Sequence, residues 1–187
     1  LGWMSSSFRW YNDENELIDI IQRTIRKNPQ ILFVLIVGNK DRAIFISKLF
    51  EDNRLSDNTL ILQEIAFNKM PIILNMCDIL ISHFNFHGVW PHICSIKHME
   101  YLAVGKPVVA TDVGYVNFAI ENEVNGLLIK EGDKKGFSNA ILKLSSNNEL
   151  CRKYGYNGRI KAVNELTWKK NVENFLHLFN NKFYASE

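Results

Sequence analysis

Ile31-Leu32-Phe33-Val34-Leu35-Ile36-Val37, closed by Gly38-Asn39, is the stretch on which the fold turns. Seven apolar residues in a row are too few for an ordinary helix and too uniform for a half-exposed strand, whose residues would alternate. The run reads as a central parallel strand covered on both faces. Working outward, the chain alternates strand and helix patterns. Leu1–Met4 is a short apolar strand. Asp13 has the form of an N-cap with Glu16 three residues on, and Leu17, Ile18, Ile21 and Ile25 then share one helical face before Pro29. After Gly38-Asn39 a helix carries Ile44, Phe45, Leu49 and Phe50. Thr59–Leu62, Asp78–Ser82, Pro107–Thr111 and Gly126–Ile129 read as strands, with helices at Met70–Met76, Ser95–Val104 and Val116–Glu121 between them. Beyond residue 133 the pattern is helical only. One helix carries Phe137, Ala140, Ile141 and Leu144; another covers about Asn148 to Glu165. The last, opened by Thr167, carries Trp168, Val172, Phe175, Leu176 and Phe179 as a packing stripe. Such alternation implies βαβ crossovers, hence an α/β, doubly wound, Rossmann-like parallel sheet of about six strands with C-terminal helices.

Composition narrows the class. The 187 residues are 47% hydrophobic and 22% charged, enough for one folded domain over 1–187 and incompatible with general disorder. With 22 Lys+Arg against 20 Asp+Glu, the net charge of +2 lacks the basic excess of a nucleic-acid binder. Lys134-Lys135 and Lys169-Lys170 are isolated pairs, short of the roughly 4–8 clustered basic residues of a membrane patch. No apolar run approaches the ~20 residues of a transmembrane helix, so no membrane span is expected. Cys77, Cys94 and Cys151 are odd in number and form no C-x-x-C, the usage of reduced cytosolic thiols. The chain starts at Leu1 without Met, and we expect a piece of a longer protein. Neither a P-loop nor G-x-G-x-x-G occurs, which disfavours NTPase and NAD or FAD modules.

In doubly wound folds ligands bind outside the carboxyl ends of the strands, at the point where strand order reverses. The segment that best fits such a site runs from Phe84 to Gly105: a long His- and aromatic-rich loop, then a helix from about Ser95. A helix N-terminus presents free N–H groups and partial positive charge, and so favours phosphate. Glu100 follows within two turns, on a helix whose Ile96, Met99, Leu102 and Ala103 read as core. A carboxylate there can accept two hydrogen bonds from a ribose diol; the plain alternative is a solvated Glu on the outer face.

The string Ser95-Ile96-Lys97-His98-Met99-Glu100-Tyr101-Leu102-Ala103-Val104-Gly105-Lys106-Pro107-Val108-Val109-Ala110-Thr111-Asp112-Val113-Gly114 resembles the sugar-nucleotide signature of the group 1 glycosyltransferases, family-four enzymes of the GT-B fold. Collinear segments agree with it. Gly2 and Arg9 resemble the "G-R … K-G" opening of the family's second domain, and Phe33–Gly38 its "L-x-I-V-G" strand. Met70-Pro71 through Ser82, Asn125-Gly126-Leu127-Leu128-Ile129, and Thr167-Trp168 resemble later family segments.

The resemblance implies the C-terminal, donor-binding half of a two-domain glycosyltransferase, its N-terminal acceptor domain lying outside this chain. It implies a UDP- or GDP-sugar as donor and a glycan or lipid-linked acceptor, as in polysaccharide biosynthesis. Glu100 then holds the ribose hydroxyls, and the amides of Cys94, Ser95 and Ile96 face the pyrophosphate and sugar. Arg9, with Gly2 in the same motif, neutralises the leaving diphosphate, and Lys97 faces it. The loop at Glu64, Ala66 and Phe67 reads the base through its backbone. No metal or other cofactor is required, because cations and amides stabilise the diphosphate. The expected location is cytoplasmic, with peripheral association of the full enzyme at the inner membrane face. By itself the chain should bind nucleotide and show little transfer.

Departures from the family pattern matter too. The family's first motif Glu, eight positions before Glu100, falls on His92, whose imidazole can donate to a sugar hydroxyl or phosphate but is no fixed carboxylate. Phe118 stands where many members have Glu. Two alternatives follow: a non-catalytic scaffold subunit of a glycosyltransferase, or a sugar-nucleotide epimerase of the same fold. His83, His87, His92 and His98 with Cys94 fit no standard zinc spacing and read as cleft histidines. Phe84, Phe86 and Trp90 either pack on a base or sugar or anchor the loop.

Overall fold

The computed structural model describes residues 2–5, 14–84 and 95–183. In chain order the elements are β1 (Gly2–Ser5), α1 (Glu14–Lys27), β2 (Phe33–Val37), α2 (Lys40–Asp52), β3 (Thr59–Gln63), α3 (Met70–Met76), β4 (Leu80–Ser82), α4 (Ile96–Ala103), β5 (Val108–Asp112), α5 (Val116–Ala119), β6 (Gly126–Lys130), α6 (Lys134–Ser145), α7 (Asn148–Glu165) and α8 (Trp168–Phe183). All strand pairs among the described residues are parallel, in the order β3-β2-β1-β4-β5-β6. The chain winds outward from β1 to β3, then crosses back to β4 on the other side of β1. The order therefore reverses between β1 and β4. Their carboxyl ends, Ser5 and Ser82, flank the crevice where such sheets take ligands.

Alternation along each strand feeds two cores. Phe33, Leu35, Ile81, Val109 and Leu127 point to one face, where α1, α2 and α6 close over them. Ile36, Leu80, Val108 and Ala110 point to the other, under α3, α4, α5 and the end of α7. On α1 the predicted Leu17, Ile18 and Ile21 are buried; Ile20 and Thr24 join them. Thr24 is the polar member of that face, its hydroxyl donating to the Ile20 carbonyl at 2.7 Å and lying 3.0 Å from Ser138 Oγ on α6. The buried Asn125 closes the turn before β6: its side chain accepts from Glu121 N at 2.8 Å and donates to Ala119 O at 3.1 Å.

Three helical faces differ from expectation. On α2 the buried side is Ala43, Ile46 and Phe50, while Ile44 and Phe45 face solvent, Phe45 beneath the Arg42 guanidinium at 5.0 Å. On α4 the buried side is His98, Tyr101 and Leu102; of the expected Ile96, Met99, Leu102 and Ala103, Leu102 is buried, Met99 and Ala103 are half-buried and Ile96 is exposed. On α8 the expected packing stripe is exposed, Trp168 at 81% and Phe175 at 65%; Phe175 and Phe179 stack on each other instead. No helix of the described residues is long and apolar enough to cross a membrane. Cys77 and Cys151 are free thiols, both pushed up in pKa by burial; Cys94 lies outside the described residues.

What holds α4 in place is a close approach to α7. A Cβ on Gly155 would stand 2.1 Å from the Gly105 carbonyl oxygen, and one on Gly158 would stand 2.7 Å from Leu102 Cδ2. Arg159 donates to the Ala103 carbonyl at the C-terminus of α4. Gly105 ends α4 with φ +69°, its N–H bonded to Leu102 O at 2.9 Å, and Lys106 N reaches back to Tyr101 O at 3.5 Å. This is the left-handed glycine stop of a Schellman motif. Gly155→Ala should therefore destabilise the fold by about 1–3 kcal/mol, because backbone must move. Gly158→Ala should cost less, since Leu102 can shift and alanine recovers up to about 1 kcal/mol of helix propensity. Urea midpoints check the ranking; a Gly155→Ala variant as stable as the parent contradicts this packing.

Candidate functional site

The site is built from the first turns of α4 and the ends of the strands beside it. Ser95 stands at the N-cap with extended φ −73° and ψ 130°, and its hydroxyl makes no capping hydrogen bond. Ile96 opens the helix 64% exposed, so the turn that follows the β4 connection sits at the surface. Glu100, one turn further on, is neither buried nor free in solvent. Burial raises its pKa, and the Lys97 charge one turn before it opposes that rise. A half-buried carboxylate of this kind is poised to accept from paired hydroxyls, which the solvated alternative is not.

Lys97 leaves the helix toward the sheet edge. Its Nζ lies 4.6 Å from the centre of the Phe84 ring, a cation–π contact. Phe84 is itself tied down, its N–H donating to Thr111 Oγ1 on β5 at 3.1 Å. Burial pushes the Lys97 ammonium down to about 8, with Glu100 pulling the other way. Next to it, His98 turns inward to Ser82 Oγ, 2.8 Å from its Nε2. Burial first, and the Lys97 charge second, push the His98 imidazole down to about 3. It is neutral at physiological pH.

The remaining expected residues divide. Glu64 and Ala66 follow β3 at the carboxyl edge, both exposed; Glu64 adopts φ 53° and its N–H binds Val37 O at 3.2 Å. By strand spacing of about 4.8 Å they stand roughly 14 Å along that edge from the end of β4. Gly2 pairs with Val34 and Leu80 at the amino end of β1, about 10 Å back from the carboxyl end at Ser5 and so apart from the other expected residues. Arg9, His92 and Cys94 lie outside the described residues, as do His87, Phe86 and Trp90. His83 is buried on the α1 side of the sheet, its Nε2 3.3 Å from Glu16 Oε2. No group of three or more His, Cys, Asp or Glu side chains among the described residues is arranged to hold a metal. Ser82 and Thr111 were not foreseen, and both are small hydroxyl residues at apolar strand ends. A cavity of about 940 Å³ opens at the other end of the sheet, beside Leu32, Met76, Pro107 and Cys151.

Comparison with known proteins places this geometry. Residues 4–161 match the family described as Glycosyl transferases group 1. An uncharacterised glycosyltransferase of Methanocaldococcus jannaschii is 24% identical over 179 residues, which is 96% of this chain and 44% of that protein. The chain thus spans less than half the length of that curated relative. Among solved structures, TarM of S. aureus superposes with TM-score 0.79 at 23% identity, over 96% of this chain and 35% of TarM. The C-terminal domain of the group 1 glycosyl transferase LpcC from Francisella tularensis superposes with TM-score 0.72 at 20% identity, over 89% of this chain and 86% of that domain. These likenesses fix the fold.

Lys97 offers a test of the site's electrostatics without ligand. Its folded pKa of about 8 lies below the ordinary 10.5, so between those values the unfolded chain holds a proton that the folded chain has released. Stability then rises with pH across that window. Relative to Lys97→Met, the parent should gain stability from pH 7 to pH 10, read as the difference in urea midpoints. A difference that is constant with pH contradicts the buried ammonium.

Proposed function

Because the chain belongs to the group 1 glycosyl transferases, we propose that it holds the nucleotide-sugar donor, UDP- or GDP-linked, for transfer to a glycan or lipid-linked acceptor. The observation that carries this reading is the half-buried Glu100 one turn past a helix start that opens at the reversal of strand order. In this reading Glu100 accepts from both ribose hydroxyls. The amides of Cys94, Ser95 and Ile96 meet the diphosphate, where the helix N-terminus supplies partial positive charge. Lys97 and Arg9 add cations, the backbone at Glu64–Ala66 meets the base, and His92 stands toward the sugar.

The chemistry follows from that placement. Transfer breaks the bond between the anomeric carbon and a phosphate oxygen, and negative charge grows on the departing diphosphate. Preorganised amides and cations stabilise that charge without a metal. TarM was solved with UDP bound, which favours UDP over GDP here. The acceptor and the second half of the cleft belong to a further, N-terminal domain, and the complete enzyme works in the cytoplasm, at the inner membrane face where its acceptor is lipid-linked. The chain alone therefore binds donor nucleotide and transfers little.

Calorimetric titration tests this. UDP, or GDP in its place, should bind, and Glu100→Ala should weaken it by about 1–3 kcal/mol, the loss expected for hydrogen bonds to a charged group. A folded Glu100→Ala chain that binds as tightly as the parent removes Glu100 from the site. A folded parent that binds neither nucleotide favours the scaffold reading.

A further inference from the structure

The polar pair beneath the site has no part in the reading above. Ser82 is the last residue of β4, and His98 sits in the first turn of α4; both are buried, at 1% and 3% exposure. Their side chains meet at 2.8 Å. They are 16 positions apart, joined through a long connection. A connection of that length does not by itself fix where a helix begins or how it is rotated. The hydrogen bond does, since it joins one atom at the strand end to one atom in the first helical turn. Phe84 reinforces it from the strand side, meeting the His98 ring edge-on at 6.2 Å while its N–H is held by Thr111.

A histidine is an expensive way to fill this position. Leu102, another buried residue of α4, packs by area, and a leucine at 98 would do the same without burying an imidazole. His98 Nδ1 is buried and makes no hydrogen bond among the described residues, so part of the cost stands unrecovered. The ring stays neutral, and its tautomer sets whether Nε2 donates to the Ser82 hydroxyl or accepts from it.

We propose that Ser82 and His98 are a positioning pair that seats the first turn of α4, and with it the aim of the Ser95–Ile96 amides at the donor diphosphate. This rests on the donor-binding reading and adds residues that touch no ligand. A first turn that is no longer seated moves those amides. Glu100, a turn further on in the part of the helix that α7 holds, and the base-reading loop after β3, three strands along the same edge, stay where they are.

The test compares UDP with UMP, which share base and ribose and differ in the second phosphate (GDP with GMP, if the guanine nucleotide is the one bound). In Ser82→Ala and in His98→Phe, the preference for UDP over UMP should fall about 5–10-fold, the worth of one net hydrogen bond or somewhat more, with UMP affinity kept. The double variant should lose no more than either single, because the two act through one bond. Ser82→Thr, which keeps the hydroxyl, should keep the preference. Folded single variants with the parental preference overturn the proposal, as do losses that add or that fall equally on UMP. Should both variants fail to fold, the imidazole nitrogen resonances of the parent decide. One neutral tautomer, unchanged from pH 5 to 8, is expected; a ring that titrates near 6.5 or averages two tautomers overturns it. A folded parent that binds neither diphosphate overturns the donor reading and this pair with it, whereas a parent that binds beside insensitive variants overturns the pair alone.

Discussion

The structure depends on a sheet that is parallel throughout its described pairs and buried on both faces. Parallel neighbours cannot be joined by tight turns, so every strand must return through a helix, and the helices cover both faces. The same constraint collects all carboxyl ends along one edge. Reversal of strand order between β1 and β4 opens that edge into a crevice. Neither the position of Glu100 nor the opening of α4 beside Ser82 would exist in a sheet wound one way only.

The crevice is useful only if α4 stays where the sheet puts it. Three kinds of contact do that: the glycine-to-backbone approach of α7, the glycine stop at Gly105, and the polar ties at the helix start. The first two secure the C-terminal half by excluding side-chain volume. The third works at the N-terminal half, where Lys97 rests on Phe84 and His98 on Ser82. The helix is thus held rigidly at its C-terminal end and directionally at its N-terminal end, where we propose the donor binds. The exposed apolar face of α8 has no such partner among the described residues and plays no part in this arrangement.

Much of this was legible in the residues. Ile31–Val37 announced a buried strand, and β2 occupies its last five positions; the helix read over about Asn148 to Glu165 is α7, its first turn capped by the Asn147 side chain. The signature from Ser95 to Gly114 located the site helix. Failures came where a helical face had two apolar stripes to choose between. On α4 the expected Leu102 is core, but its buried partners are His98 and Tyr101 rather than Ile96 and Met99, a choice made by the position of α7 and the hydroxyl of Ser82. A histidine flanked by lysine and methionine does not read as core. Gly2, matched through a short motif by spacing, pairs with Val34 and Leu80 at the amino end of its strand, away from the other expected residues.

The central claim is that the ligand belongs at the carboxyl edge, against α4, although a cavity of about 940 Å³ lies at the amino edge. Volume is a weak guide beside a helix start, a half-buried carboxylate and a tethered cation, Lys97 over Phe84, at the reversal of strand order. A crystal structure of this chain grown with UDP tests the claim most directly. The account predicts the diphosphate within hydrogen-bonding distance, about 2.7–3.2 Å, of the Ser95 and Ile96 amides, with both ribose hydroxyls on Glu100. A nucleotide seated instead in the groove beside Leu32, Met76 and Cys151, with α4 untouched, would contradict it.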